Sequence, residues 1–111
     1  MDREAVEDLF AGILPVRVRR MFGGLGLFDG PLMFALVADG ELYFKTNEET
    51  AALFAEAGGH AFSYARKGKL ATMGYWTPPE SIFDDAEELR RWTALALRVA
   101  HASQVGVRRR G

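Results

Sequence analysis

The 111-residue chain contains no cysteine. Disulfides, thiolate metal sites and cysteine nucleophiles are therefore excluded. It has no long hydrophobic run either. The longest apolar stretch ends at Ala38 and is far too short to cross a bilayer. The start, Met1-Asp2-Arg3-Glu4, is acidic and has no apolar segment behind it, so no signal peptide is expected and the cytoplasm is the expected location. A surplus of positive charge is missing as well: the net charge is −1. That argues against indiscriminate binding to nucleic acid, which needs several phosphates neutralised.

What is present is ordinary for one globular domain. Hydrophobic residues make up 49% and charged residues 26%. A single domain over 1–104 is expected, followed by a basic disordered tail, 105–111, ending in Arg108-Arg109-Arg110. The charge is unevenly spread. Arg17, Arg19 and Arg20 lie in a stretch, 16–28, that has no acid, whereas 2–13 and 46–58 are acidic.

Asp2 can cap a first helix in which Val6, Leu9, Phe10 and Ile13 form one apolar face, ended by Gly12 and Pro15. Val16 to Arg19 alternates apolar and charged residues, as a half-buried strand does. Strands are then expected at Leu25–Phe28, Leu32–Val37 and Glu41–Lys45, joined by Asp29-Gly30 and Asp39-Gly40 turns. The third has bulk on both sides. Such short turns make these strands antiparallel. Thr46 and Glu49 have capping-box spacing for a second helix with Leu53, Phe54 and Ala57 inward and Gly58-Gly59 as its end. Phe62–Arg66 and Leu70–Trp76 read as two more strands turned by Lys67-Gly68-Lys69, and Pro78-Pro79 ends the sheet. A last helix starts near Asp84 and buries Leu89, Trp92, Leu95 or Ala96, and Val99. The fold class is α+β: an antiparallel sheet of about six strands in the order α-β4-α-β2-α, with the helices on one face.

A search for chemistry finds no reaction centre. Gly24-Leu25-Gly26 lacks dinucleotide-loop spacing, and a strand follows it instead of a helix. His60 and His101 are isolated and lack metal-ligand spacing. The acids around Asp84 to Glu88 fit a helix start better than an acid–base pair. No serine sits in a nucleophile elbow. No catalytic residue, metal ligand or cofactor is assigned. One constellation stands out: Arg17 and Arg19 share a face of the first strand, and Tyr43 and Lys45 share a face of the fourth. Val16, Val18, Leu42 and Phe44 turn to the core. Basic and aromatic side chains on an open sheet face can be a solvated surface with stray charges, and they also suit a protein interface or self-association, including a homodimer. They also occur in nucleic-acid platforms. Tyr75 and Trp76, at the rim before Pro78-Pro79, leave room for a small-molecule site as the alternative.

Met21-Phe22-Gly23-Gly24, Met33-Phe34-Ala35-Leu36, Leu42-Tyr43-Phe44-Lys45, Phe62-Ser63-Tyr64 and Met73-Gly74-Tyr75-Trp76 with Pro79 appear in that order. Together with Leu89 to Trp92 they resemble the N-terminal domain of the TfoX (Sxy) competence regulators over residues 3–103. The resemblance implies a bacterial protein with a secretion-chaperone-like α+β fold. It also implies a non-enzymatic regulatory role at natural-competence genes, together with the cyclic-AMP receptor protein. Full-length members carry a helical C-terminal domain. This chain is expected to stand without it.

Overall fold

The computed structural model describes residues 1–21, 23–66 and 69–110, with the backbone alone for 64–66, 69–73 and 104–110. The elements are α1 (Arg3–Phe10), β1 (Arg17–Met21), β2 (Gly24–Asp29), β3 (Leu32–Ala38), β4 (Glu41–Lys45), α2 (Glu48–Glu56), β5 (Ala61–Arg66), β6 (Lys69–Trp76), a 3-10 turn (Glu80–Phe83) and α3 (Ala86–Arg110). This is the expected order with one short turn added. The expected 67–69 turn and the tail from 105 fall largely outside the described residues or side chains.

One antiparallel sheet holds all six strands in the order β1-β2-β3-β4-β6-β5. The first four form a meander because their loops are tight. Asp39 and Gly40 both have positive φ, +51 and +79. That is the type I′ pattern, whose twist matches the flanking strands and which Asp-Gly tolerates. Between Leu27 and Phe28 of β2, the register to β3 shifts from Ala35 to Met33, so Phe34 is the extra residue of a bulge. Phe34 and Ala35 consequently both reach the core. Phe44↔Trp76 and Lys45↔Tyr75 join the meander to β6, which lies between β4 and β5.

The helices begin where short polar side chains satisfy free N–H groups. The Asp2 carboxylate accepts from the Ala5 N–H at 2.9 Å. For α2 the capping pair is shifted by one from the expected Thr46 and Glu49. Asn47 accepts from the Thr50 N–H at 2.8 Å, and the Thr50 hydroxyl accepts from the Asn47 N–H at 2.9 Å. Thr46 is instead bound into the sheet, its N–H donating to the Gly74 carbonyl at 2.7 Å. α2 closes at Gly58, φ +93, with Gly59 N–H on the Phe54 carbonyl and Gly58 N–H on that of Ala55. This pair of bonds is the Schellman arrangement. Asp85, one residue later than expected, caps α3: its carboxylate accepts from the backbone N–H groups of Glu87 and Glu88.

All three helices cover the same sheet face. Val6 and Phe10 of α1, Phe54 of α2, and Leu89, Trp92, Ala96 and Ala100 of α3 share one core with Val18, Leu27, Phe34, Val37, Leu42 and Phe44. Aromatic rings run through it in contact, from Phe10 to Phe34 (5.7 Å between centroids), Phe34 to Phe44 (6.4 Å) and Phe44 to Phe54 (6.3 Å). Leu53 departs from expectation. It is 45% exposed, because α2 buries a narrow stripe, Thr50 and Phe54, one turn apart. Among the described residues, no helix is long and apolar enough to cross a membrane.

Candidate functional site

The sheet face away from the helices is the candidate site. Residues paired directly across an antiparallel ladder point to the same side. Arg17↔Phe28↔Met33 form one row across β1, β2 and β3. Arg19↔Gly26↔Leu36↔Tyr43 form the next, extending to β4. Lys45↔Tyr75 form a third on β4 and β6. A second, smaller apolar cluster joins Leu36, Tyr43 and Tyr75 with Met33, Ala38 and Phe62, and among the described residues no helix residue belongs to it.

The four residues singled out in the sequence do lie on this face, but they do not meet. Arg17 and Arg19 are on β1, at the sheet edge. Tyr43 and Lys45 are three strand spacings away on β4, about 14 Å. Apolar side chains lie between. Gly26 carries none of its own, and the Met21 and Met33 sulfurs and the Phe28 ring edge crowd the position a Cβ there would take. Thioethers make this centre soft and adaptable.

The two cationic ends differ. Arg17 and Arg19 are exposed. The Arg17 Nη1 donates to the Gly30 carbonyl at 3.1 Å, and the Arg19 guanidinium lies 5.7 Å from the Phe28 ring centroid. On the other side, the Lys45 ammonium sits 5.3 Å from the Tyr75 ring centroid. Both are cation–π contacts, which leave the charge available to a partner. Tyr43 is the surprise in exposure: it stays on this face yet is only 7% exposed. Phe62 packs edge-on at 5.1 Å and His60 at 5.9 Å. Burial, then the charges of Glu41 and Asp39, raise its phenol pKa above the ordinary tyrosine value. Burial alone raises that of Tyr75.

Sequence reasoning missed the apolar centre made by Phe28, Met33, Leu36, Phe62 and Tyr75. A signal was present in β3, whose apolar residues fall on both faces of the strand. Tyr75 and Trp76 point to opposite sides. Tyr75 belongs to the outer cluster, whereas Trp76 packs against the helix-side core. Neither lines the groove of about 540 Å³ beside them, which His60, Thr77, Pro78, Pro79 and Phe83 help to form. A wider groove of about 1130 Å³ is lined by Glu4 and Glu7 of α1 and by Arg20. Its walls carry both signs of charge. His60 contacts Glu41 at 3.5 Å and His101 contacts Asp29 at 3.1 Å, so each histidine faces one carboxylate. Among the described residues, no group of three or more metal-binding side chains converges.

Known proteins share much of this sequence. DNA transformation protein TfoX1 of Aliivibrio fischeri is 44% identical over 62 residues, covering 56% of this chain and 30% of that protein. Protein Sxy of Escherichia coli is 27% identical over 94 residues, covering 85% of this chain and 45% of that protein. The chain thus spans less than half the length of either relative. The family model of the TfoX N-terminal domain matches residues 8–100, and the chain belongs to that family.

Proposed function

We propose that this chain is a non-enzymatic binding module that acts in the regulation of DNA transformation through protein contacts at its outer sheet face. One observation carries the reading: an adaptable apolar centre, bordered by Arg17 and Arg19 on one side and Lys45 on the other, to which no described helix residue contributes. Arginine and aromatic side chains around an apolar patch are what protein interfaces favour. Membership in the TfoX N-terminal domain family and likeness to a DNA transformation protein supply the process. The module works in the cytoplasm, with a partner protein or a second copy of itself as the bound species.

The test is the double charge reversal Arg17→Glu/Arg19→Glu in the native host. Both side chains are exposed, so the variant should fold with an unchanged circular dichroism spectrum. It should fail to support the transformation frequency that the unmodified gene restores to a deletion strain. Full restoration by the variant would refute the proposed surface.

A further inference from the structure

β1 ends the sheet: it pairs with β2 on one side and with no described strand on the other. Alternate residues of such an edge direct backbone N–H and C=O groups outward, a template for one more strand. Side chains decide which strand can be added. Arg17, Arg19 and Arg20 are all exposed, and the stretch 16–28 contains no acid. None of the three forms an ion pair among the described residues. The Arg17 guanidinium rests on a carbonyl and that of Arg19 on a ring, both neutral groups. Their positive charge is uncompensated at contact distance.

That charge selects among occupants. A second copy adding through its own β1 would bring arginines against arginines, and like charges directly opposite each other destabilise a ladder. A nucleic acid passing the strand would meet Asp2, Glu4 and Glu7, which line the groove together with Arg20. The outward-facing side chains of an acidic polypeptide strand added along β1 meet Arg17 and Arg19, in a stretch that holds no acid. Between them, Val18 turns to the helix side and joins the margin of the core, with Val16 packed beside it.

We infer that the β1 edge takes an extended acidic segment of a partner protein as an added strand, with acids two residues apart facing Arg17 and Arg19 and an apolar residue between them beside Val18. This rests on the outer face being a protein-binding surface. It adds the backbone edge, the charge of the partner and the spacing of its acids. The position opposite Arg20 is left open, since Arg20 lines a groove that Glu4 and Glu7 of α1 also line.

The test uses the full chain and labelled peptides followed by fluorescence anisotropy. A peptide with Glu-Val-Glu in a threonine-rich strand should bind, and its affinity should fall as salt is added. The Gln-Val-Gln peptide should bind at least about tenfold more weakly, because it loses the cross-strand charge pairs. Two peptides that keep Glu-Val-Glu but are N-methylated at alternate residues, one in each phase, separate strand addition from plain charge attraction. One phase removes the hydrogen bonds to the edge and should also lose about tenfold or more. Equal binding of both methylated peptides and the parent would overturn strand addition. So would no binding of the parent, or equal binding of the Gln-Val-Gln peptide. A single-stranded oligonucleotide that binds as tightly as the parent would overturn the partner class. If no peptide binds while Arg17→Glu/Arg19→Glu still abolishes transformation in the host, the outer face stands and the added strand falls.

Discussion

Trp92 of α3 meets Phe54 of α2 edge-on, with ring centroids 4.7 Å apart and planes at 67°. This contact ties α2 to α3, the longest helix. Phe54 also touches Phe44 of the sheet, so one ring links α2, α3 and β4.

Phe54 is fully buried, and its neighbour Leu53 is 45% exposed. Phe54→Ala should therefore destabilise the protein by about 3–5 kcal/mol, through lost burial and the cavity left among Phe44 and Trp92. Leu53→Ala should change stability by less than about 0.5 kcal/mol, as exposed positions do. Urea unfolding midpoints of the two variants give the comparison directly. A larger loss for Leu53→Ala than for Phe54→Ala would contradict the placement of α2.

That pair also shows where the sequence stops being informative. Leu53, Phe54 and Ala57 fit one helical face, but how much of a face is covered depends on what packs over it, which is a long-range fact. The strands were easier to read. Val16, Val18, Leu42 and Phe44 sit on the core side because alternation fixes the side of every residue once one is buried. Asp39-Gly40 marks its own turn. The helix caps slipped by one at Asn47 and Asp85, because neighbouring Thr46 and Asp84 offer the same local chemistry. Only the bond from Thr46 to Gly74 of β6 separates the first pair. The candidate site was half legible for a related reason. Alternation placed Arg17, Arg19, Tyr43 and Lys45 on one face, but the distance between the pairs depends on β2 and β3 lying between. The burial of Tyr43 depends on Phe62 and Tyr75, which β5 and β6 bring back to β4. No local pattern encodes that return.

Gly24 and Gly26 lie two apart on β2 but should respond differently to a methyl group. A Cβ at Gly24 would run into the Val37 carbonyl oxygen and sit 3.3 Å from its carbon. That is backbone of the paired strand, which cannot yield without breaking the ladder. At Gly26 the obstacles are Met21, Met33 and Phe28 side-chain tips, and the two thioethers can turn aside. Gly24→Ala should cost about 1–3 kcal/mol. Gly26→Ala should cost less than about 1 kcal/mol, since alanine also lowers the entropy of the unfolded chain. Thermal unfolding of the two variants side by side checks the order, and equal losses would contradict it.

Tyr43 and Tyr75 make the outer cluster sensitive to alkali. Burial raises both phenol pKa values above the ordinary 10.0, and the nearby Glu41 and Asp39 carboxylates raise that of Tyr43 further. The fold therefore holds each phenol protonated at a pH where the unfolded chain has begun to release its proton. For a group whose folded pKa is raised, the associated stability is fully present below the unfolded value and is lost as pH climbs through the folded one. The denaturant midpoint should accordingly stay level on approach to 10.0 and fall above it. Tyr43→Phe removes one of the two groups, and with it part of that decline, while leaving the ring that packs on Phe62. An ultraviolet titration of the folded protein reads the same property directly, as phenolate absorbance that appears later than in the denatured chain. Coincident titration curves for folded and denatured protein would show that neither phenol is shielded by the sheet face.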